Sequence, residues 1–576
     1  MKKKLLNLCL PLTLIMGFSS NAQDRYCNQV VDGQDIVVHS DITFGDNIDF
    51  LRSNLDAPQL DLFAELTEIK TAVAASMPIP LKYYLTNDAS TLPADSTHLK
   101  VTPMKMDIYE PDQAIDKEAE RPVMVYIHTG NFLPPPHNGQ PTGRKEDWTG
   151  VALCKQWASR GFVAVSIAYR GGWNPASSDQ NVRTGTLLNA VYRAIHDVKH
   201  GVRFLKDDAA GSNTYAIDAN NIILYGQGSG GYVALGYATL DKFSEMEIPK
   251  FIDPSTSPPV SFIDTNNVGN IEGIGGFLNL YTNPNNTSSE IQMCINAGGA
   301  LADSSWLEAG DVPMVNIQTV RDQFAPFTSG WVIVTTTGDQ VVEVQGPNIF
   351  MKKANALGNN APFYGNTWTD PYTTAAKSRY GQTYSYWHPV NNTITIENDM
   401  EGCFPVVLPL ITAAMAPLQN QASPWEWWDP NHPLATAVVS AGPPPITAHM
   451  ANSLSNPDMS VEKGQTYLDT IHGYIMPRIC AVLQANGVNI GVEENQQLSS
   501  FLSVYPNPAG DFLFLDKVDE IEIEKVEVLD ISGRIVKEYA FNNMSNKIDV
   551  QDLPSGMYIV VVNSNKGVMS QKVIKN

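Results

Sequence analysis

One run constrains this chain more than any other: Ile223-Leu224-Tyr225-Gly226-Gln227-Gly228-Ser229-Gly230-Gly231-Tyr232-Val233-Ala234-Leu235. A β-rich apolar stretch meets a knot of glycines and passes at once into a helix-forming stretch, so the run reads as a strand, a sharp turn and a helix. In such a turn one residue stands at the tip in a strained backbone conformation. The residues two before and two after it must be small, so that strand and helix can pass closely. Centring on Gly228 puts Gly226 and Gly230 at those places. Centring on Ser229 puts Gln227 there, where its side chain should clash, with Gly231 on the far side.

Strands and helices alternate around this turn. Asp41 to Phe44 and Lys105 to Tyr109 open a sheet, and the unalternating apolar runs Val123 to Ile127 and Phe162 to Ala168 predict strands buried on both faces. The spacing of Leu187, Leu188, Val191, Ile195, Val198 and Val202 predicts an amphipathic helix over 185–205. Strands are further expected at Ile222 to Tyr225, Met314 to Ile317 and Thr393 to Ile396, and a closing helix from Tyr467 to Ala485 around Pro477. This order predicts a doubly wound, mostly parallel sheet covered on both faces. The stretch Asn360 to Pro389, rich in Tyr, Trp, Gly and Asn, is too long for a simple connection and is expected either to cap a site or to form a surface insertion.

The two ends differ from this middle. Lys2, Lys3 and Lys4, an apolar run from Leu5 to Phe18 and then Ser19-Ser20-Asn21-Ala22 have the order of a secretory signal peptide, with cleavage expected after Ala22. No other segment has the length and apolarity of a membrane span, so none is expected. Loss of the three signal lysines takes the formal charge from −22 to −25, which disfavours nucleic-acid partners. Cys27, Cys154, Cys294, Cys403 and Cys480 then remain, odd in number and without close pairs, which argues against a zinc site. No His-Glu-x-x-His, calcium-loop or phosphate-loop motif occurs either, so no metal or cofactor is expected.

After a polar linker at 491–500, residues 501–576 carry short strands with Gly and Pro turns, as expected for a small all-β sandwich. The ordered motifs Val504-Tyr505-Pro506-Asn507-Pro508, Val526 to Arg534, Leu553-Pro554-Ser555-Gly556-Met557-Tyr558 and Gln571 to Ile574 closely resemble the C-terminal sorting domain of type IX secretion cargo from Bacteroidetes. That resemblance implies passage across the outer membrane through the type IX machinery, to the medium or the cell surface.

The remainder, residues 23–490, is one domain, and over roughly residues 100–485, with some insertions, it resembles the α/β-hydrolase superfamily of carboxylesterase and lipase type. Acyl transfer needs a nucleophile, a base, an acid that orients the base, and donors for the developing oxyanion. The stretch Val125 to Phe132 resembles the family's His-Gly-Gly-Gly-Phe oxyanion loop, with Thr129 and Asn131 in place of two glycines. The resemblance assigns oxyanion donors to the amides of Gly130, Asn131 and Ser229. Tyr215 through Leu235 resembles the family segment leading into Gly-Asp-Ser-Ala-Gly-Gly, and residue by residue Gly228 falls on the serine. Asp322, in Val320-Arg321-Asp322-Gln323-Phe324-Ala325-Pro326, resembles the family's acid, although an aspartate there also serves as a turn-former. In Glu401-Gly402-Cys403-Phe404-Pro405, Cys403 stands where histidine belongs. His388, His432, His449 and His472 remain as other histidines. Trp425-Glu426-Trp427-Trp428 is expected to be core, a site wall or a stacking surface.

Departures at both the nucleophile and the histidine predict an exported protein that binds a small-molecule ester or other ligand in the old cleft, with hydrolysis lost or altered. The alternative is an active carboxylic-ester hydrolase in which Ser229 attacks, an unassigned histidine takes its proton and Asp322 orients that histidine. A third possibility is chemistry at Cys403, which would require an exposed, reactive thiol.

Overall fold

The computed structural model describes residues 25–576 apart from 56, 86–96, 335–336, 367, 386–392, 409–421, 489, 491–501, 518–520, 531–533, 541–545 and 565–566. The proposed signal peptide and linker lie outside the described residues. One compact unit spans Gln29–Val488 and a second contains Asn489–Asn576.

Eight strands make the sheet of the first unit: β1 (Ile36–Ile48), β2 (Val101–Pro111), β3 (Arg121–Ile127), β4 (Val163–Ile167), β5 (Ile217–Gln227), β6 (Met293–Ala297), β7 (Met314–Thr319) and β8 (Cys403–Val406). Their order is β1-β2-β4-β3-β5-β6-β7-β8, with β1 and β2 antiparallel to their neighbours and β3 onward parallel. Every residue of β3, β4 and β6 is buried, and for β3 and β4 this is why Val123 to Ile127 and Phe162 to Ala168 read as unalternating apolar runs. Helices α1 (Trp148–Ala158), α2 (Gln180–Ala210), α3 (Ser229–Thr239), α4 (Pro347–Leu357) and α5 (Val461–Ala485) complete the doubly wound layers. Helix α2 begins ahead of its apolar stripe, where Asp179 caps it by accepting from the Asn181 amide, and runs on to Ala210.

Two expectations need correction. Thr393–Thr395 pairs with Thr383–Ser385 in a separate two-stranded sheet, and the last strand of the main sheet is Cys403–Val406. Its Pro405 is tolerated because β8 is an edge strand, with β7 as its neighbour in the sheet. The described part of Asn360 to Pro389 does not cap the central cavity. It packs on α5, where Tyr372 lies against Gly473, Thr373 Oγ1 accepts from Arg478 Nη1 at 3.2 Å, and the Arg478 guanidinium lies 5.0 Å from the Trp368 ring centroid.

In the second unit, β9 (Leu502–Tyr505), β10 (Phe512–Lys517) and β13 (Lys547–Asp549) form one antiparallel sheet. The other sheet holds β11 (Ile523–Asp530), β12 (Ile535–Ala540), β14 (Gly556–Ser564) and β15 (Gly567–Lys575) in the order β12-β11-β14-β15. Leu513, Leu515, Val526, Val528, Val560 and Val562 bury their side chains in its core, the inward half of the expected alternation.

The strand-to-helix turn is packed backbone against backbone. A Cβ at Gly226 would stand 2.1 Å from Gly230 O, and one at Gly230 would stand 2.1 Å from Ile127 O. Backbone on both sides leaves nothing that can rotate away. Gly230→Ala is therefore expected to cost about 3 kcal/mol or more in urea unfolding, whereas Gly442→Ala, with nothing within 4 Å of the added carbon, should change stability little.

Candidate active site

The turn between β5 and α3 has Gly228 at its tip, with φ 55° and ψ −120°. This is a region that side chains enter only under strain. Ser229 is the first residue of α3. A Cβ at Gly228 would meet Thr129 Oγ1 at 2.3 Å, so the Thr129 side chain fills the space that a side chain at the tip would need.

Ser229 is 7% exposed, and its Oγ lies 2.9 Å from the Tyr169 hydroxyl. The Tyr169 hydroxyl also lies 3.0 Å from the carbonyl of His128, which can only accept. The tyrosine proton therefore goes to that carbonyl, and Ser229 donates to the tyrosine oxygen. Burial pushes the Tyr169 phenol up, so its oxygen is a neutral acceptor rather than a base. His128 stacks on Tyr169 with ring centroids 4.4 Å apart, its Nδ1 donates to the carbonyl of Thr129, and burial lowers its pKa to about 4.

The loop after β3 runs through Gly130, Asn131 and Phe132, all at positive φ (133°, 54° and 55°). Three donors fix its carbonyls: Leu133 N bonds Gly130 O at 3.0 Å, Trp173 Nε1 bonds Asn131 O at 2.8 Å, and Gly172 N bonds Phe132 O at 2.7 Å. The amides of Gly130, Asn131 and Ser229 have no acceptor among the described residues. They are open donors beside the turn.

These residues border a cavity of about 410 Å³, walled by Phe132, Trp173, Tyr192, Tyr232, Trp306 and Trp428. Two carboxyl groups line it. Asp322 follows β7, is 2% exposed, and accepts from the amides of Phe324 and Ala325 at 2.8 and 3.0 Å. Burial raises its pKa to about 7 against these bonds. Glu426 accepts from Gln227 Nε2 at 2.8 Å and from Thr142 Oγ1 at 3.4 Å. Burial raises its pKa to about 7 as well, and the nearby Asp322 adds to the rise. Glu426 is the residue that sequence reasoning missed. The available signal was a carboxylate set between tryptophans, where an unpaired charge is costly.

Cys403 is the first residue of β8, at the edge of the sheet. Its thiol is wholly buried, lies 3.6 Å from Asn316 Nδ2, and is pushed by burial up to about 12. No histidine occurs between residues 404 and 431, the stretch that follows β8 and returns to the cavity at Ala422. His388 lies outside the described residues. His432 caps the short helix Pro433–Thr436, His449 accepts from Trp428 Nε1 at 3.2 Å, and His472 is buried against Trp157. Among the described residues the one imidazole lining the cavity is His137, which the sequence reading had not singled out. Trp425 and Trp427 are core, packed against Gly298 and Gly464, while Trp428 is a cavity wall.

Cys154, Cys294 and Cys403 are free and buried. Iodoacetamide at pH 8 should therefore leave all three unmodified in the folded protein and alkylate them in denaturant, as read by peptide mass spectrometry.

Two family models match the chain. Residues 106–353 match the BD-FAE family model and residues 503–576 match the secretion system C-terminal sorting domain. Similar solved structures include esterase 2 of Thermogutta terrifontis phosphonylated by cyclosarin, at 17% identity and a TM-score of 0.26 over 39% of this chain and 69% of that one. Its propionate-bound form matches at 17% identity and 0.25, over 39% and 70%. Ulvan lyase NLR42 of Nonlabens ulvanivorans is 40% identical over 85 residues, or 14% of this chain, and that match spans only 16% of the lyase. The chain thus joins an esterase-like α/β-hydrolase fold, matched by the BD-FAE model at residues 106–353, to a type IX sorting domain that directs it to the cell surface or the medium.

Proposed function

We propose that the cavity binds a small, largely apolar ligand without hydrolysing it. The observation that carries this reading is the tip of the turn: Gly228 has no side chain, and Thr129 fills the space a nucleophile would need. Ser229 gives its proton to a neutral phenol, and none of these contacts supplies a base. The surrounding chemistry suits binding. Aromatic walls offer apolar area, and the open amides of Gly130, Asn131 and Ser229 offer donors for a ligand oxygen.

A second reading, ester hydrolysis by Ser229 with Asp322, has one observation in its favour. Ser229, Asp322 and His137 line the same cavity. In that reading His137 takes the serine proton.

Short-chain p-nitrophenyl esters decide between the two. Binding without hydrolysis predicts no turnover above the blank by the tail-less protein, and no change in Ser229→Ala or His137→Ala. Turnover abolished by both substitutions would establish the second reading. Separately, Gly228→Ser should destabilise the protein by about 2 kcal/mol. Thr129→Gly in the same chain should recover more than about 1 kcal/mol of that in a double-mutant cycle by urea unfolding.

A further inference from the structure

We propose that the depression lined by Tyr364, Trp368 and Asn398 is a surface site for a neutral oligosaccharide, apart from the central cavity. It measures about 490 Å³ and has no lining residue in common with that cavity. The aromatic and amide residues that set 360–389 apart in the sequence thereby have a use elsewhere on the molecule. Tyr364, Asn366, Trp368 and Tyr380 come from this stretch, and Asn398, Asp399 and Glu401 from the turn ahead of β8.

The support of the site is buried and paired. The Arg478 guanidinium, wholly buried, lies over the Trp368 ring 5.0 Å from its centroid and holds Glu401 at 2.5 Å. The Tyr380 hydroxyl lies 2.7 Å from the carbonyl of Met400 and 2.6 Å from that of Cys403, which ties the aromatic stretch to the turn ahead of β8. Tyr364, by contrast, is 46% exposed, so its ring is available to a ligand.

The polar groups left over include both donors and acceptors. Tyr364 donates to Asp399 Oδ1 at 3.1 Å, which leaves Asp399 Oδ2 to accept. Asn366 Nδ2 donates to the carbonyl of Pro362 at 2.8 Å, which leaves its Oδ1 to accept. Asn398 is exposed, and its side chain has no hydrogen bond among the described residues, so it offers both kinds. Lys377 Nζ, 3.5 Å from Glu401 Oε2, adds a donor. Hydroxyl groups, which give and take hydrogen bonds at one atom, suit such a mixture. Charge balances as well, with Lys377 and Arg478 set against Asp399 and Glu401, so the site favours neither an anion nor a cation. The net charge of −22 on the chain further disfavours polyanions. A pyranose meets each condition: its C–H face packs on an aromatic ring and its hydroxyls reach the polar groups around it.

The test is affinity electrophoresis of the full chain in gels containing xylan, hydroxyethyl cellulose, galactomannan, laminarin or the anionic carboxymethyl cellulose. Calorimetric titration with the matching hexasaccharide follows. The expected result is retardation by at least one neutral glycan and a dissociation constant on the order of 0.1–1 mM. Tyr364→Ala and Asn398→Ala should each weaken binding about tenfold, while Tyr364→Phe, which keeps the ring, should stay within about threefold of the parent. Both sites are exposed, so the urea midpoint of each variant should match the parent's. Absence of retardation by all four neutral glycans would overturn the site, as would binding that Tyr364→Ala and Asn398→Ala leave unchanged. Stronger retardation by carboxymethyl cellulose than by hydroxyethyl cellulose would overturn the neutral ligand.

Discussion

The rest of the site depends on a close approach of backbone to backbone, where β5 crosses the start of α3 beneath the end of β3. Gly226, Gly230 and the carbonyl of Ile127 meet there with no room for one further carbon. That crossing fixes which residue stands at the tip, because shifting the register by one would drive Gln227 into the helix. It also fixes what the neighbouring loop does. With no side chain at Gly228, the space above the turn is open, and Thr129 enters it from β3's end. The two departures from the esterase pattern, glycine at the tip and threonine in the loop, are one steric arrangement.

Burial of the acidic groups has an electrostatic consequence. A carboxyl group taken out of water is harder to ionise, and its pKa rises. Asp322 illustrates this, held by two amides yet raised to about 7. Glu426 adds a second acidic group to the same cavity, which makes ionising either one harder. The cavity's chemistry is that of an acidic, aromatic pocket with open amides at one place on its wall.

Much of the fold was legible because sterics and burial leave local marks. Glycines at 226, 228, 230 and 231 announced the turn, and unalternating runs announced strands covered on both faces. The last strand was misplaced for an equally physical reason. Cys403–Val406 contains Pro405, which argues against a strand unless that strand lies at an edge, and edges are not visible in sequence. The histidine position was read separately, from Gly402 and Pro405 as landmarks, which put Cys403 there. Glu426 was illegible because its partners Gln227 and Thr142 lie 199 and 284 residues away along the chain. Tyr169 as the partner of Ser229 was hidden in the same way, 60 residues off. Only the fold brings them together.

The central claim is that this esterase-like scaffold has no activated nucleophile. A fluorophosphonate probe tests it directly, since it forms a covalent adduct with an activated serine or threonine regardless of which ester the enzyme would prefer. Intact-mass measurement after incubation should show the unmodified chain. A stoichiometric adduct mapped to Ser229 or Thr129 would contradict the account.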